Sequence, residues 1–343
     1  MILFKIEAES RERERERFCH TFNDIISIKN LLISWQEFLR GKRTRKDVAE
    51  FSLHFMDNIL VLHRDLTDKT YRHGTYQAFK INDPKPRDIH KASVRDRLLH
   101  HAIYRILYPC FDRQFIHDSY SCRDQKGTHR AIRRLRHFSH KISKNNTQTV
   151  WVLKCDIRKF FANIDHKILK DILREHIHDS NVLYLLRQII DSFYTKNKRG
   201  VGLPLGNLTS QLLVNIYMNI LDQFIKRRLK VQYYARYADD FVILHENRTY
   251  LVNLIPKLSE FLEAELKLSL HPNKLSIKTL ESGIDFLGWV NFPHHRILRT
   301  TTKKRMFEKL RQNSIKESLN SYLGLLSHGN TNKIKEKARE ISG

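Results

Sequence analysis

The chain has 343 residues, 41% of them hydrophobic, and carries 62 Lys and Arg against 37 Asp and Glu, a formal net charge of +25. That length allows one large or two to three small folding units with a real core, and the charge points to polyanionic partners. Apolar runs are short and broken by Lys, Arg or His, which excludes a membrane-spanning helix, and residues 1–10 lack the apolar core of a signal peptide. Four scattered cysteines (Cys19, Cys110, Cys122, Cys155) form no CxxC pair, which speaks against zinc and disulfide frameworks and fits a reducing cytoplasm.

Residues 1–26 read as a charged extension, with Arg and Glu alternating from Arg11 to Arg17. Helical spacing follows from Ile28 to Leu62, with one apolar stripe at Leu31, Leu32, Trp35, Phe38 and Leu39. A second stripe is expected at Leu53, Phe55, Met56, Ile59 and Leu60. Residues 80–146 hold sixteen Lys and Arg and six Asp, interleaved with aliphatic and aromatic residues at helical spacing. This predicts a folded basic surface suited to a phosphate backbone.

Beyond it the pattern becomes mixed α/β. Residues 150–157 read as a short strand ending on Asp156. Asp165 is placed to cap a helix over 166–176. Further helices are expected over 183–194 and 208–229. Aromatic-rich strands over 231–237 and 240–245 flank a turn at Ala238-Asp239. A helix over 250–267, a hairpin near 284–299 and basic C-terminal helices complete the chain, the last with ten Lys and Arg and four Glu in 301–343. The expected organisation is an extension (1–26), a basic, mainly helical segment (27–145), a segment bearing the carboxylates (146–293, with part of 168–205 joining the preceding unit) and a basic helical end (294–343). No internal repeat or low-complexity linker interrupts it.

Asp156, Asp239 and Asp240 are the candidate chemistry. A carboxylate at a strand end beside a core is costly unless its charge is used or solvated. Three converging carboxylates repel unless cations lie between them, and Mg2+ suits hard oxygen ligands while keeping sites open for substrate phosphates. Two such ions can clamp both oxygens of an in-line displacement, so that catalysis is positioning plus charge neutralisation. Paired acids on a hairpin turn are common, and Asp165, Asp191 and Asp222 read as ordinary turn or cap acids; the pair gains meaning only from its neighbours.

Those neighbours carry a family resemblance. Tyr237-Ala238-Asp239-Asp240, between Ala235-Arg236 and Phe241-Val242, resembles the palm hairpin of reverse transcriptases, and Asp156-Ile157-Arg158-Lys159-Phe160-Phe161 resembles their first carboxylate motif. The resemblance implies an α+β right-hand polymerase with fingers (27–145), palm (146–293) and thumb (294–343). It implies metal ligation of two Mg2+ ions, for which Mn2+ can substitute, by Asp156, Asp239 and Asp240 with the Ile157 carbonyl. It makes Phe161 a steric gate against the ribose 2′-hydroxyl, although a plain core role stays open. Arg87, with Lys85 and Lys91 as weaker candidates, matches the segment that meets the incoming triphosphate, and Arg97 reads as structural. Lys274 matches a proton donor to pyrophosphate, with a merely solvated lysine as the alternative. Phe286-Leu287-Gly288-Trp289 resembles the primer grip.

One segment departs from the commoner pattern. Gly202-Leu203-Pro204-Leu205-Gly206-Asn207-Leu208-Thr209-Ser210-Gln211 has Leu205 where most of the family has Gln, and Gln211 where most has Pro. An aliphatic residue before Gly206 and a Gln after Ser210 are similar to the enzymes of diversity-generating retroelements. Ser119-Tyr120-Ser121-Cys122-Arg123 with Lys126-Gly127-Thr128-His129, and Ser321-Tyr322-Leu323-Gly324 with His328, are similar to them too. Leu205 offers the templating base pair apolar contact where Gln would hydrogen-bond, a looser hold that allows more misincorporation, and the resemblance to that subgroup implies error-prone copying chiefly at template adenines; a packing role without effect on fidelity stays open. The resemblance implies template RNA, primer or cDNA, dNTPs and a small basic accessory protein as partners, no membrane, and a cytoplasmic, bacterial or phage setting. The alternatives are a group II intron, retron or CRISPR-associated reverse transcriptase of ordinary fidelity, or a catalytically silent RNA-binding protein on the same scaffold.

Overall fold

A computed structural model of the chain describes residues 20–82, 86–312 and 316–342. In chain order its elements are α1 (Phe22–Ile26), α2 (Ile28–Phe38), α3 (Lys46–Leu53), α4 (Phe55–Thr67), β1 (Gln77–Ile81), β2 (Arg87–Lys91), α5 (Val94–Asp112), α6 (Thr128–Ile142), β3 (Trp151–Asp156), α7 (His166–His176), α8 (Ser180–Asp191) and α9 (Leu208–Gln223). There follow β4 (Tyr234–Tyr237), β5 (Asp240–His245), α10 (Arg248–Leu266), β6 (Ser276–Thr279), β7 (Ile284–Phe286), β8 (Trp289–Asn291), β9 (Arg296–Leu298), α11 (Thr300–Gln312), α12 (Lys316–Leu326) and α13 (Asn332–Ser342). The sheets are all antiparallel: β1-β2, β4-β5-β3-β6 and β7-β8-β9. The α+β class follows from this. The chain clusters into two compact units, one of Met1–Ile116, Arg158–Phe224 and Glu260–Ser269, the other of His117–Ile157, Ile225–Ser259 and Leu270–Gly343.

In the first unit, Leu31, Trp35 and Phe38 bury the inner face of α2. Trp35 stacks on Phe38 with ring centroids 5.4 Å apart, a pairing worth about 0.5–1.5 kcal/mol beyond burial. The second predicted stripe is displaced. Leu53, Met56 and Leu60 are exposed; of the expected stripe α4 buries Ile59, and it adds Leu62 and Leu66. Its apolar residues cover more of the circumference than the core can take, so spacing alone did not choose the face. Asp165 caps α7 as expected, accepting from the Lys167 and Ile168 amides at 2.9 and 3.1 Å. The next helix starts earlier than its apolar residues suggest, because Asp179 caps α8 through the Asn181 and Val182 amides. The predicted helix over 208–229 ends at Gln223, and a π-turn over Phe224–Arg228 breaks it. Asp222 is fully buried in the last turn of α9, so it is neither a turn acid nor a cap. The hairpin β1-β2 lies inside the basic stretch read as helical. Every residue of β1 is exposed, so it carries no alternating burial to betray a strand.

In the second unit, β3 is the buried centre of the four-stranded sheet, between β5 and β6. Its core gathers Leu135, Phe138, Val152, Val242, Phe286, Trp289, Met306 and Leu326 from α6, the two sheets and the C-terminal helices. The expected strand over 231–237 is ordered as β4 only from Tyr234, and the expected hairpin near 284–299 is a three-stranded meander.

Candidate active site

The carboxylates come together in the second unit through strand register. β3 pairs with β5 so that Asp156 stands opposite Asp240, and Tyr237 pairs with Asp240 across the hairpin, which leaves Ala238-Asp239 as a two-residue turn. Ala238 sits at φ +53°, a left-handed conformation uncommon for a residue with a side chain and of a kind that concentrates at functional sites. The backbone fastens the turn and the end of β3: the Ile157 amide donates to the Asp239 carbonyl at 3.2 Å and the His271 amide to the Asp156 carbonyl at 2.7 Å.

The local field follows from this crowding. Burial, together with the negative charges of Asp239 and Asp156, pushes the Asp240 carboxyl up to about 6, although Lys154 and Lys274 pull the other way. Asp156 is only 6% exposed. Lys274 donates its Nζ to Asp156 Oδ1 at 2.7 Å, so it is held at the carboxylates and is not a freely solvated lysine. Among the described residues no three acids, imidazoles or thiols are gathered tightly enough to ligate one ion as they stand. The donors are nonetheless of the right kind: hard carboxylate oxygens, with one carboxyl forced upward by its neighbours, suit a divalent cation that would relieve their repulsion.

Sequence reasoning passed over the residue that anchors the turn. Arg236 is fully buried in β4 and donates to the Ala238 carbonyl and to Ser119 Oγ, each at 3.1 Å. Its strand is clasped by the segment before α6: the Arg236 amide donates to the Asp118 carbonyl and the Tyr120 amide to the Arg236 carbonyl, both at 2.9 Å. Asp118 is in turn held by Arg134 through two bonds, at 2.8 and 3.2 Å, and by the Tyr120 hydroxyl at 2.8 Å. Burial opposes it, yet these bonds hold the Asp118 carboxyl below the usual carboxylate range. The signal in the sequence was a lone Arg inside an apolar strand, Tyr233-Tyr234-Ala235-Arg236.

Other candidates fall as follows. In the second unit the Phe286 side chain is fully buried in the core, so only Leu287 and Gly288 reach the β7-β8 turn. Both have positive φ, +52° and +87°, as a two-residue hairpin turn with matching twist requires. In the first unit Arg87 begins β2 and is exposed, and the same strand is stitched to the 205–207 loop. The His90 amide donates to the Leu205 carbonyl at 3.1 Å, Asn207 Nδ2 donates to the His90 carbonyl at 2.8 Å, and a Cβ on Gly206 would come within 2.9 Å of Ile89 Cγ2. Leu205 and Gln211 are half-buried. Phe160 is buried beneath Phe161, edge to face at 5.5 Å, while Phe161 itself stays half-buried. Lys91 bonds Asp47 at 2.6 Å, and Arg97 pairs with the same carboxylate while lying over the Phe38 ring, which makes both structural. Lys85 lies outside the described residues.

Such a hairpin and carboxylate set make a candidate nucleotidyl-transfer site. The chain belongs to the reverse transcriptase (RNA-dependent DNA polymerase) family, which it matches over residues 80–290. That family's fold is the right-hand polymerase, and the mixture of helices with antiparallel sheets accords with it. The protein YkfC of Escherichia coli is 26% identical over 62% of this chain and 63% of its own length. The group II intron-encoded protein LtrA of Lactococcus lactis is 24% identical over 81% of this chain and 48% of its own. The chain thus spans about half to two thirds of these relatives. Among solved structures, apo telomerase from Candida tropicalis, truncated from the C-terminal domain, aligns with a TM-score of 0.49 and 13% identity over 72% of this chain and 60% of that one. No helix among the described residues is long and apolar enough to cross a membrane.

Proposed function

We propose that this chain is an RNA-directed DNA polymerase of a diversity-generating retroelement, adding dNTPs to a primer 3′-hydroxyl and copying template adenines with errors. The observation that carries the polymerase reading is the Asp156–Asp240 pairing across β3 and β5, with Asp239 on the turn between β4 and β5. Asp156, Asp239, Asp240 and the Ile157 carbonyl would hold divalent cations, Mg2+ or Mn2+. Bound there, the ions supply charge neutralisation for the attacking and leaving oxygens. The chain's own residues do the rest. Arg236 fixes the turn that carries Asp239. Lys274 holds a proton beside Asp156 and would give it to the departing pyrophosphate. The Leu287-Gly288 turn steadies the primer strand, and within the other unit the family resemblance gives Arg87 a triphosphate-binding role and Phe161 the role of a gate against the 2′-hydroxyl.

The finer reading rests on the 202–211 segment. Leu205, half-buried and stitched through its carbonyl to β2, presents an aliphatic side chain where an amide would grip the templating base. A base pair without that hydrogen bond is discriminated less strictly. A structured template RNA and a small basic accessory protein complete the proposed assembly, in a bacterial or phage-infected cytoplasm. The likeness to LtrA favours a second reading, a group II intron-type enzyme of ordinary fidelity. Sequencing cDNA made by the purified protein on a defined RNA separates the two. Substitutions concentrated opposite template adenines support the retroelement reading; errors spread evenly over the four bases leave the second.

A further inference from the structure

A second feature of the unit that holds the carboxylates has no part in the chemistry above. A cavity of about 230 Å3 opens between α6, the turn joining β8 to β9, and the loop joining α12 to α13. Water occupies roughly 30 Å3 per molecule in the liquid, so an anion with several waters fits. Its wall includes Arg136, Arg296, His294, His295 and His328, and not one acid. Burial disfavours the charged Arg296 guanidinium, and Arg136 and Arg133 of α6 add their charges against it.

The cavity is built, not incidental. The α12–α13 loop is tied to β9 by the Asn330 amide, which donates to the Arg296 carbonyl at 3.0 Å, and by the Arg296 amide, which donates to Asn330 Oδ1 at 3.4 Å. At Gly329 the loop lies so close to Trp289 that a Cβ would sit 2.1 Å from the ring, so only glycine fits. The loop presents His328, whose ring stacks on His129 of α6 with centroids 3.6 Å apart. Burial, His328, Arg296 and Arg133 together push the His129 imidazole below its ordinary value. Arg136 and Arg296 face a space whose lining holds no carboxylate, and Arg133 adds its charge nearby, so an anion there would relieve their mutual repulsion.

We propose that this cavity binds a backbone phosphate of a nucleic-acid strand, RNA or DNA, through Arg136 and Arg296, with His328 on its wall and His129 stacked behind His328. Guanidinium forks match phosphate oxygens, and a phosphate among the imidazoles draws protons onto them. The identity of the ligand as nucleic acid rests on the polymerase reading; the anion site itself rests on the cavity. Burial and the neighbouring charges hold His129 below its ordinary value, so an anion that offsets those charges favours its protonated form and binding tightens toward acid pH, which a plain surface arginine would not produce. The charged groups that act on His129 are Arg296 and Arg133, both positive.

The test is fluorescence anisotropy of the full chain with a labelled RNA hairpin and, separately, a DNA hairpin of the same sequence, across salt and pH. Arg136→Gln, at an exposed position that tolerates substitution, should lower the slope of log affinity against log salt by about one. Arg296→Gln should act in the same direction. His129→Gln should keep the salt slope and flatten the tightening at acid pH. A drop on RNA alone marks an RNA strand as the occupant, and a drop on both marks a site indifferent to the sugar. If folded Arg136→Gln and Arg296→Gln keep the native slope and pH response, the proposal falls. It also falls if inorganic phosphate raises the melting temperature of the native protein but not of these variants while their hairpin affinities are native, for the cavity then takes free phosphate. Incorporation of dNTP by the native protein is measured alongside: its absence with hairpin binding intact overturns the polymerase reading and leaves the site standing.

Discussion

Arg236 offers the sharpest perturbation, because it is given no part in the proposed chemistry and touches the turn that carries Asp239. It is fully buried, with bonds of 3.1 Å to the Ala238 carbonyl and to Ser119 Oγ. A hydrogen bond to a charged group is worth about 1.5–3 kcal/mol, so Arg236→Met, which removes both, should cost about 3–6 kcal/mol. That is a large part of the 5 to 15 kcal/mol, roughly, that holds a domain folded, so the methionine variant tests stability more than catalysis. Arg236→Lys keeps the charge and can reach one of the two acceptors, at about half that cost. The turn then loses its fixed position, and a shift of about 1 Å at a reacting group costs about 100-fold. Single-turnover dNTP incorporation, with kcat and KM taken separately and a thermal melt on the same sample, reads the effect. The expected result is a fall of about 100-fold in kcat with KM for dNTP little changed. A stable, folded Arg236→Lys protein with native kcat would refute the positioning argument and leave Arg236 as packing alone.

Other outcomes follow from the same geometry. His100 is buried against His73, 3.2 Å between their Nε2 atoms, and burial pushes its imidazole down to about 3. The unfolded chain binds this proton near pH 6.5 and the folded one only near 3, so stability is full above about 6.5 and is lost as pH falls. By about pH 5 the loss is about 2 kcal/mol, and thermal melts should show it, with a flatter acid limb in His100→Gln. If Phe161 is the gate, Phe161→Ala should raise ribonucleotide incorporation relative to dNTP by on the order of 10 to 100-fold in competition assays. Leu205→Gln should lower misincorporation at template adenines in sequenced cDNA while leaving the rate of correct addition close to native; an unchanged spectrum would return Leu205 to a packing role.

What could be read from the sequence was local or ordered along it. Asp156, Asp165 and the Tyr237–Asp240 turn announce themselves through strand ends, caps and the order of neighbouring motifs, and each stands where its pattern put it. Features that depend on distant partners were not legible. Arg236 looks like an odd charge in a strand until Ser119, more than a hundred residues earlier, comes to lie against it. The β1-β2 hairpin escaped because every residue of β1 is exposed and nothing alternates. Phe286 was read as part of a strand grip, but its ring belongs to the core, a choice made by the C-terminal helices packed over it. The end of α9 was overrun because Phe224 and Ile225 continue the apolar pattern through a π-turn that periodicity cannot distinguish from helix.

The central claim is that Asp156, Asp239 and Asp240 form one polymerising site, and Asp239→Asn tests it most directly. The change is nearly isosteric, falls at a half-buried position on the turn and leaves the backbone bond from Ile157 to the Asp239 carbonyl in place. Extension of a primer on an RNA template by one dNTP in Mg2+ should be readily measured for the native chain and fall about 1,000-fold or more in Asp239→Asn with an unchanged melt. Native-rate extension by folded Asp239→Asn protein would contradict the account.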